Sequence, residues 1–430
     1  MDKLAKLFSG AERENAGGSI AGWLADKLPA IVPAVILLAS LVLKWSYAPI
    51  IYSKGEWTDY VRFLKPWVDF YRANGIVGGL GKGVGNYFVP YNVFLACISK
   101  LHVEPYYPIM LLSVAFDFAM VFAVYKVMRH LAGCGEKALA VPGRYILAVA
   151  SSVAALPVVV ANSGIWKQCD SVWTAFLLLA LYFFCRERYR WMFVCTGIAF
   201  CVKLQAVFFL PFLVMAYVAK RDIPLRGFLW IPAAVLAGGL PAVLCGRPVL
   251  ETYSVYAGQV GLHKEMCVNS PGIYAIGMMD YELYRGMALL LIMMVFAFAL
   301  VFVNEHRENM GPAKWIYLCG WCLMTCFEFL PAMHERYDYP AIVLLTACAM
   351  FFRRQIAVPV LAMHLVSACT YAHCLWRYSP DYTVLALFYL AAWVWITRDL
   401  AAWLADKGSG PVCTGNAPDA GKKGKGDGAF

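Results

Sequence analysis

At 430 residues, with 61% hydrophobic and only 15% charged, the chain is not a soluble domain, which at this length would carry about 25% charged residues. A mean hydropathy of +0.62 points the same way. The net charge of +10 does not imply a nucleic-acid partner, because Lys and Arg sit in short loops between apolar runs, where they orient membrane helices.

The first 28 residues are polar and basic, show no cleavable signal pattern, and are expected to form a cytoplasmic segment. The first apolar run, from Pro29, would then serve as both signal and anchor. Apolar runs occupy roughly 29–47, 106–128, 145–162, 171–185, 191–219, 227–246, 284–303, 314–331, 339–352, 356–374 and 382–397. They are long and frequent enough to be membrane helices rather than buried core. The run at 191–219 is too long for one straight helix and carries Lys203-Leu204-Gln205 near its middle. It reads as two short helices meeting at a polar break. The expectation is an all-α polytopic membrane protein with about 12 membrane helices, two of them short and forming a broken hairpin. Residues 29–400 make the multi-span domain, and 401–430 a cytoplasmic, basic tail expected to be disordered. No internal repeat is visible.

Charge orients the spans. Val89–Leu101 is apolar but short, and short runs are often interfacial. Treated as a helix lying on the outer surface, it leaves Arg129–Arg144, Arg186–Arg190, Lys220–Arg226, His306–Lys314, Arg353–Arg354 and the Lys-rich tail all cytoplasmic. Every loop then obeys the positive-inside rule, with both termini inside. Outside lie two long loops, 48–105 and 247–283, and three short ones around Asn162–Ser171, His334–Asp338 and Trp376–Asp381.

The first outer loop contains Thr58-Asp59-Tyr60-Val61-Arg62-Phe63-Leu64-Lys65-Pro66-Trp67. Tyr60, Phe63 and Trp67 recur at helical spacing, with Asp59 and Arg62 on another face. That pattern suits a juxtamembrane helix resting on the membrane with its aromatic side down, and an interfacial helix with no further role has the same pattern. The glycines from Gly75 to Gly85 resemble a phosphate loop only loosely. No strand precedes them and no Gly-Lys-Ser/Thr follows.

Asn162-Ser163-Gly164-Ile165-Trp166-Lys167-Gln168-Cys169-Asp170 ends on a carboxylate at a helix start, which suits either a cap or a site. In His334-Glu335-Arg336-Tyr337-Asp338-Tyr339, polar groups crowd a boundary where anchoring needs fewer, and Arg336 could hold a phosphate through paired hydrogen bonds. Asp117, Lys203 and Glu328 fall within apolar runs, which is costly in lipid. They are either functional or paired with one another to fix helix packing. Of fifteen cysteines, Cys319, Cys322 and Cys326 have helical spacing and read as small core residues. Cys169 and Cys267 fall in outer loops and could pair.

These segments together resemble the membrane glycosyltransferases of the GT-C superfamily, most closely the bacterial relatives of the second mannosyltransferase of GPI-anchor synthesis. The matching segments are Thr58-Asp59-Tyr60 with Pro66-Trp67, Pro90-Tyr91-Asn92, Phe116-Asp117, Asn162 through Ser171, Lys203-Leu204-Gln205 and Met333-His334-Glu335-Arg336-Tyr337. They run in the family's order and cover roughly residues 30–400. Where relatives usually carry Gly between Trp and Gln, this chain carries Lys167.

The resemblance implies transfer of a sugar, commonly mannose, from a polyprenyl-phosphate donor to a lipid or glycan acceptor on the outer face of a prokaryotic plasma (inner) membrane. It implies Asp59 as catalytic base and Asp170 as a second acid. Lys203, His334 and Arg336 would be partners of the donor phosphate, and Arg62, Trp166, Lys167, Gln168, Gln205, Glu335 and Tyr337 the remaining substrate-binding candidates. Some members use a divalent metal held by acids, and Asp59 with Asp170 leaves that open. Two rivals stand beside this. One is a lipid or solute transporter using Asp117, Lys203 and Glu328 as a midplane site. The other is a noncatalytic binder of lipid-linked sugar.

Overall fold

The computed structural model describes residues 20–50, 58–134, 139–259, 263–277 and 279–406. Of the tail expected to be disordered, 401–430, residues 401–405 continue the last helix, Tyr382–Ala405, and 407–430 lie outside the described residues. Among the described residues nearly all regular structure is helical. The sheet is a two-residue parallel pair, Cys267–Val268 against Met333–His334.

The chain is an all-α, multi-pass membrane protein. Among the described residues, six helices are long and apolar enough to cross a membrane: Gly22–Tyr47, Tyr106–Gly133, Leu225–Leu244, Tyr281–Glu305, Arg354–Trp376 and Tyr382–Ala405. A bent pair, Gly143–Ala155 and Pro157–Trp166, turns by 51° at its break and raises the number to seven if taken as one span. Proline at the break explains the bend, since it cannot continue the preceding ladder. Leu244, Leu250 and Phe298 are 83%, 82% and 77% exposed, a surface suited to lipid rather than water. Inward of these lie shorter apolar helices, among them Asp170–Cys185 and Tyr339–Phe351. Pro312–Phe329 is buried at every position from Ala313 onward, as expected of a helix that is apolar all round.

The loops segregate to two ends. At one, Ala140 N–H donates to the Phe351 carbonyl (2.7 Å), the His130 ring nitrogen meets the Cys185 carbonyl (2.9 Å), Lys220 pairs with Glu187 (3.1 Å) and Lys314 Nζ donates to the Asp406 carbonyl (3.3 Å). These contacts join the basic loops to one another. At the other, Ala332 N–H donates to the Met266 carbonyl (2.9 Å) and Tyr60 OH meets Glu104 (3.4 Å). The long loops therefore gather away from the basic ones.

Two expectations need revision, and one is made more specific. The first helix runs Ile20–Tyr47, with Pro29 and Pro33 inside it, so the boundary at residue 28 falls mid-helix. Membrane helices tolerate such prolines because neighbouring groups satisfy the freed carbonyls. Val89–Ile98 is a ten-residue helix about 15 Å long, too short to cross about 30 Å of hydrocarbon. It is packed against Lys65–Asn74, Ile76–Lys82 and Trp230–Leu244. Last, Tyr60, Phe63 and Trp67 do not share a lipid-facing stripe. Tyr60–Leu64 is a π-helical turn that leads into Lys65–Asn74, and its wider turn rotates Tyr60 off the Phe63 face. Tyr60 is buried against Tyr106, with ring centroids 5.8 Å apart.

The polar break in the run 191–219 is present. Tyr189–Val202 ends at Lys203, whose extended backbone (φ −152°, ψ 135°) hands the chain to a 3₁₀ segment, Leu204–Phe209, and then to Leu210–Lys220.

Candidate functional site

A cavity of about 930 Å³ opens at the long-loop end. Its lining includes the aromatic Phe63, Trp67 and Tyr87 and the basic Lys203, His334 and Arg336. Trp67 can lie flat only because residue 85 is glycine. Its φ is +68°, and a Cβ there would sit 2.4 Å from the indole. That packing, and not a phosphate cradle, accounts for this part of the glycine-rich segment.

Asp59 stands just before the π turn, lines the cavity, and its side chain is 32% exposed. Trp166 Nε1 and Gln168 Nε2 both donate to its Oδ2, at 3.2 and 2.7 Å, and Arg336 Nη2 lies 3.6 Å away. The two donors come from a strap, Val160–Asp170, that begins as a π-helical segment ending at Trp166. Asp170 opens the following helix and is fully buried, outside the cavity lining. It accepts from Lys203 Nζ, from Trp173 Nε1 (3.0 Å) and from Asn162 Nδ2 (2.9 Å), with Arg336 Nε at 3.8 Å. Such enclosure satisfies a buried carboxylate but leaves no path to a substrate hydroxyl.

Arg336 joins the two acids. Its guanidinium also bonds Glu335 and lies 5.2 Å from the Trp166 ring centroid. Burial would raise the Glu335 carboxyl, but Arg336 and His334 hold it below the ordinary glutamate value. Next to it, burial drives Asp338 well above the ordinary aspartate value, and Glu335 and Asp170 add to the rise. Among the described residues neither Asp338 oxygen has a hydrogen-bond partner. His334 packs edge-on to His263, centroids 4.4 Å apart, and Tyr337 lies 5.6 Å from Lys203 Nζ.

The structure thus gathers Asp59, Trp166, Gln168, Lys203, Gln205, His334, Glu335, Arg336 and Tyr337 around one cavity. Three candidates fall outside it, the buried Asp170 among them. Arg62 is exposed and lies over Phe63. Lys167 is fully buried with a left-handed backbone (φ 63°), and its Nζ donates to the Gly164 carbonyl within the strap. Burial pulls its ammonium down to about 7. Nor do the apolar-run charges pair with one another. Asp117 pairs with Lys44 at 2.7 Å and Lys203 with Asp170, while both Glu328 oxygens lack partners among the described residues. Cys169 and Cys267 are free thiols.

Among the described residues no group of three or more His, Cys, Asp or Glu side chains could hold a metal. The Arg336 guanidinium reaches both Asp59 and Asp170, so a metal shared by the two acids would have to displace it. The donor set does not fit such an ion.

Lys44, Trp173 and Tyr371 escaped the sequence reading, and Asn162 was named only as part of its stretch, although each touches this network or its support. Lys44 carried a usable signal, a lysine near the end of an apolar run. Tyr371, which Asn162 meets at 3.0 Å, carried none.

The fold and site together define a multi-pass membrane protein with a charged cavity at its long-loop end. The sequence matches no family model and no curated protein.

Proposed function

We propose that the chain transfers a sugar, mannose in the first instance, from a polyprenyl phosphate to an acceptor hydroxyl with inversion. The observation that carries this is Asp59: a carboxylate exposed to the cavity and held by two neutral donors, with Arg336 3.6 Å away and Lys203 lining the same cavity. The acceptor oxygen attacks the anomeric carbon while its proton passes to Asp59. The bond to phosphate breaks and its electron pair leaves on the phosphate oxygen, whose charge Arg336 and Lys203 stabilise. A phosphate leaves without a general acid. Asp170 does not meet substrate; it fixes the two cations.

A lipid-borne phosphate arrives at the membrane boundary. The cavity's place among the long loops, away from the basic ones, supports that entry rather than a midplane transport site. The positive-inside rule favours a cytoplasmic basic end, which would leave the cavity on the outer face. Passage of the chain back and forth between the two ends supports about a dozen crossings once the short inner helices are included. The resemblance to GT-C glycosyltransferases is part of this same proposal.

The test supplies radiolabelled polyprenyl-phosphate sugars to membranes from cells lacking or expressing the chain. A labelled product that depends on the chain and disappears with Asp59→Asn is expected. No chain-dependent product with any donor overturns the assignment.

A further inference from the structure

Beneath the strap lies an ion pair with no place in the chemistry above. Lys44 and Asp117 are both fully buried. Lys44 Nζ donates to Asp117 Oδ2 at 2.7 Å and to the Ala154 carbonyl at 3.0 Å. The other carboxylate oxygen, Oδ1, accepts from Ser163 Oγ at 2.9 Å, and Ser163 belongs to the strap. One turn along the same helix, Ser113 Oγ donates to the Gln168 carbonyl at 2.7 Å. The strap is therefore attached to Tyr106–Gly133 at two points, on either side of Trp166. Close approach adds to this: a Cβ at Gly164 would lie 2.8 Å from Lys44 Cγ.

We infer that the Lys44–Asp117 pair is a positioning device for Asp59, acting through Ser163 and the strap that carries Trp166 and Gln168. Asp117 touches no cavity atom. It fixes where the strap begins, and with it the two side chains that donate to the base. A buried pair is a costly way to hold helices together, since apolar residues of similar volume often serve as well. The outward-facing oxygen on Ser163 gives this pair a use that apolar packing would not supply. Misplacing a catalytic group by about 1 Å can cost about 10²-fold in rate, so a loosened strap should act on turnover.

This inference rests on the transferase proposal, and its test separates the two. Asp117→Asn alone leaves Lys44 buried without its countercharge and is at risk of not folding. Ser163→Ala keeps the pair intact and cuts only its link to the strap, while Ser163→Thr keeps the hydroxyl. The double variant Lys44→Met with Asp117→Leu removes both charges together. Ser163→Ala and the double variant should lower kcat about tenfold or more, with donor KM within about twofold. Ser163→Thr should recover most of the loss. Hydrogen exchange over residues 58–64 should rise in the same two variants, a readout that needs no activity. Unchanged kcat and unchanged exchange in a folded Ser163→Ala protein overturn the inference. A wild type that transfers no sugar removes the transferase proposal, and the exchange measurement still decides whether the pair positions Asp59.

Discussion

Asp59 and Asp170 are held from the same strap and reached by the same arginine, yet they sit in different regions of the molecule. Asp59 belongs to the long-loop layer, takes two neutral donors on one oxygen and keeps about a third of its side chain open to the cavity. Asp170 belongs to the bundle, is closed to solvent, and spends both oxygens on Lys203, Trp173 and Asn162. Two acids with similar partners are thus fitted for different work. Access separates a base from an anchor, because a proton can be taken only by an oxygen that the substrate can reach.

The comparison breaks most decisively at Asp59. Asp59→Asn keeps the shape and the donors but removes the proton acceptor, and turnover should fall by about 10² to 10⁴ while expression and donor binding persist. Near-normal turnover would make the two acids equivalent and end the mechanism. Arg336 comes next, since it reaches both. Arg336→Ala should cost about 10² in turnover, comparable to losing one donor to a developing oxyanion. Arg336→Lys should restore only part, because lysine keeps the charge and loses the planar fork. Assays on the same membranes, with a donor titration, check both; an active Arg336→Ala removes the residue from the site. Asp170→Asn should act chiefly on stability. Breaking a buried pair costs about 3 kcal/mol or more, seen as a lower unfolding temperature with a smaller loss of rate per folded molecule. A rate loss equal to that of Asp59→Asn in well-folded protein would instead place Asp170 in the chemistry.

Much of the site was legible because its residue types stand out against lipid-facing sequence. Polar groups crowded at Trp166–Asp170 and at His334–Asp338, and Lys203 broke a long apolar run; the fold brings all three to one cavity. What stayed hidden depends on pairing and on backbone. Lys44 is an ordinary lysine until Asp117 is placed beside it. The aromatic spacing at Tyr60, Phe63 and Trp67 misled because it assumes 3.6 residues per turn, and a π turn does not keep that period. The bundle itself was readable from apolar runs, but Ile20–Leu28 was not, because polar residues among Trp23 and Leu24 masked a continuing helix.

Lys167 offers the smallest effect and the finest test of the strap that joins the two acids. It lies between Trp166 and Gln168, in the left-handed region at φ 63°, where a side chain costs roughly 1 kcal/mol that glycine avoids. Its ammonium is buried, and burial pulls it down to about 7 in the folded protein against about 10.4 in an unfolded chain. Between those values the unfolded state binds a proton that the native state does not, so stability rises as pH climbs from about 7 toward 10. Below about 7 both states are protonated and the dependence flattens. Lys167→Met keeps the backbone strain and removes the titration, so it should be more stable than wild type at pH 7, with the gap narrowing by pH 9. Lys167→Gly should add a further, pH-independent gain from the relaxed φ. Unfolding temperatures of the detergent-solubilised protein at the two pH values read both effects. A Lys167→Met gap that stays constant with pH would mean that the lysine is charged in the folded strap, and that its burial beside Trp166 and Gln168 is matched by a partner anion.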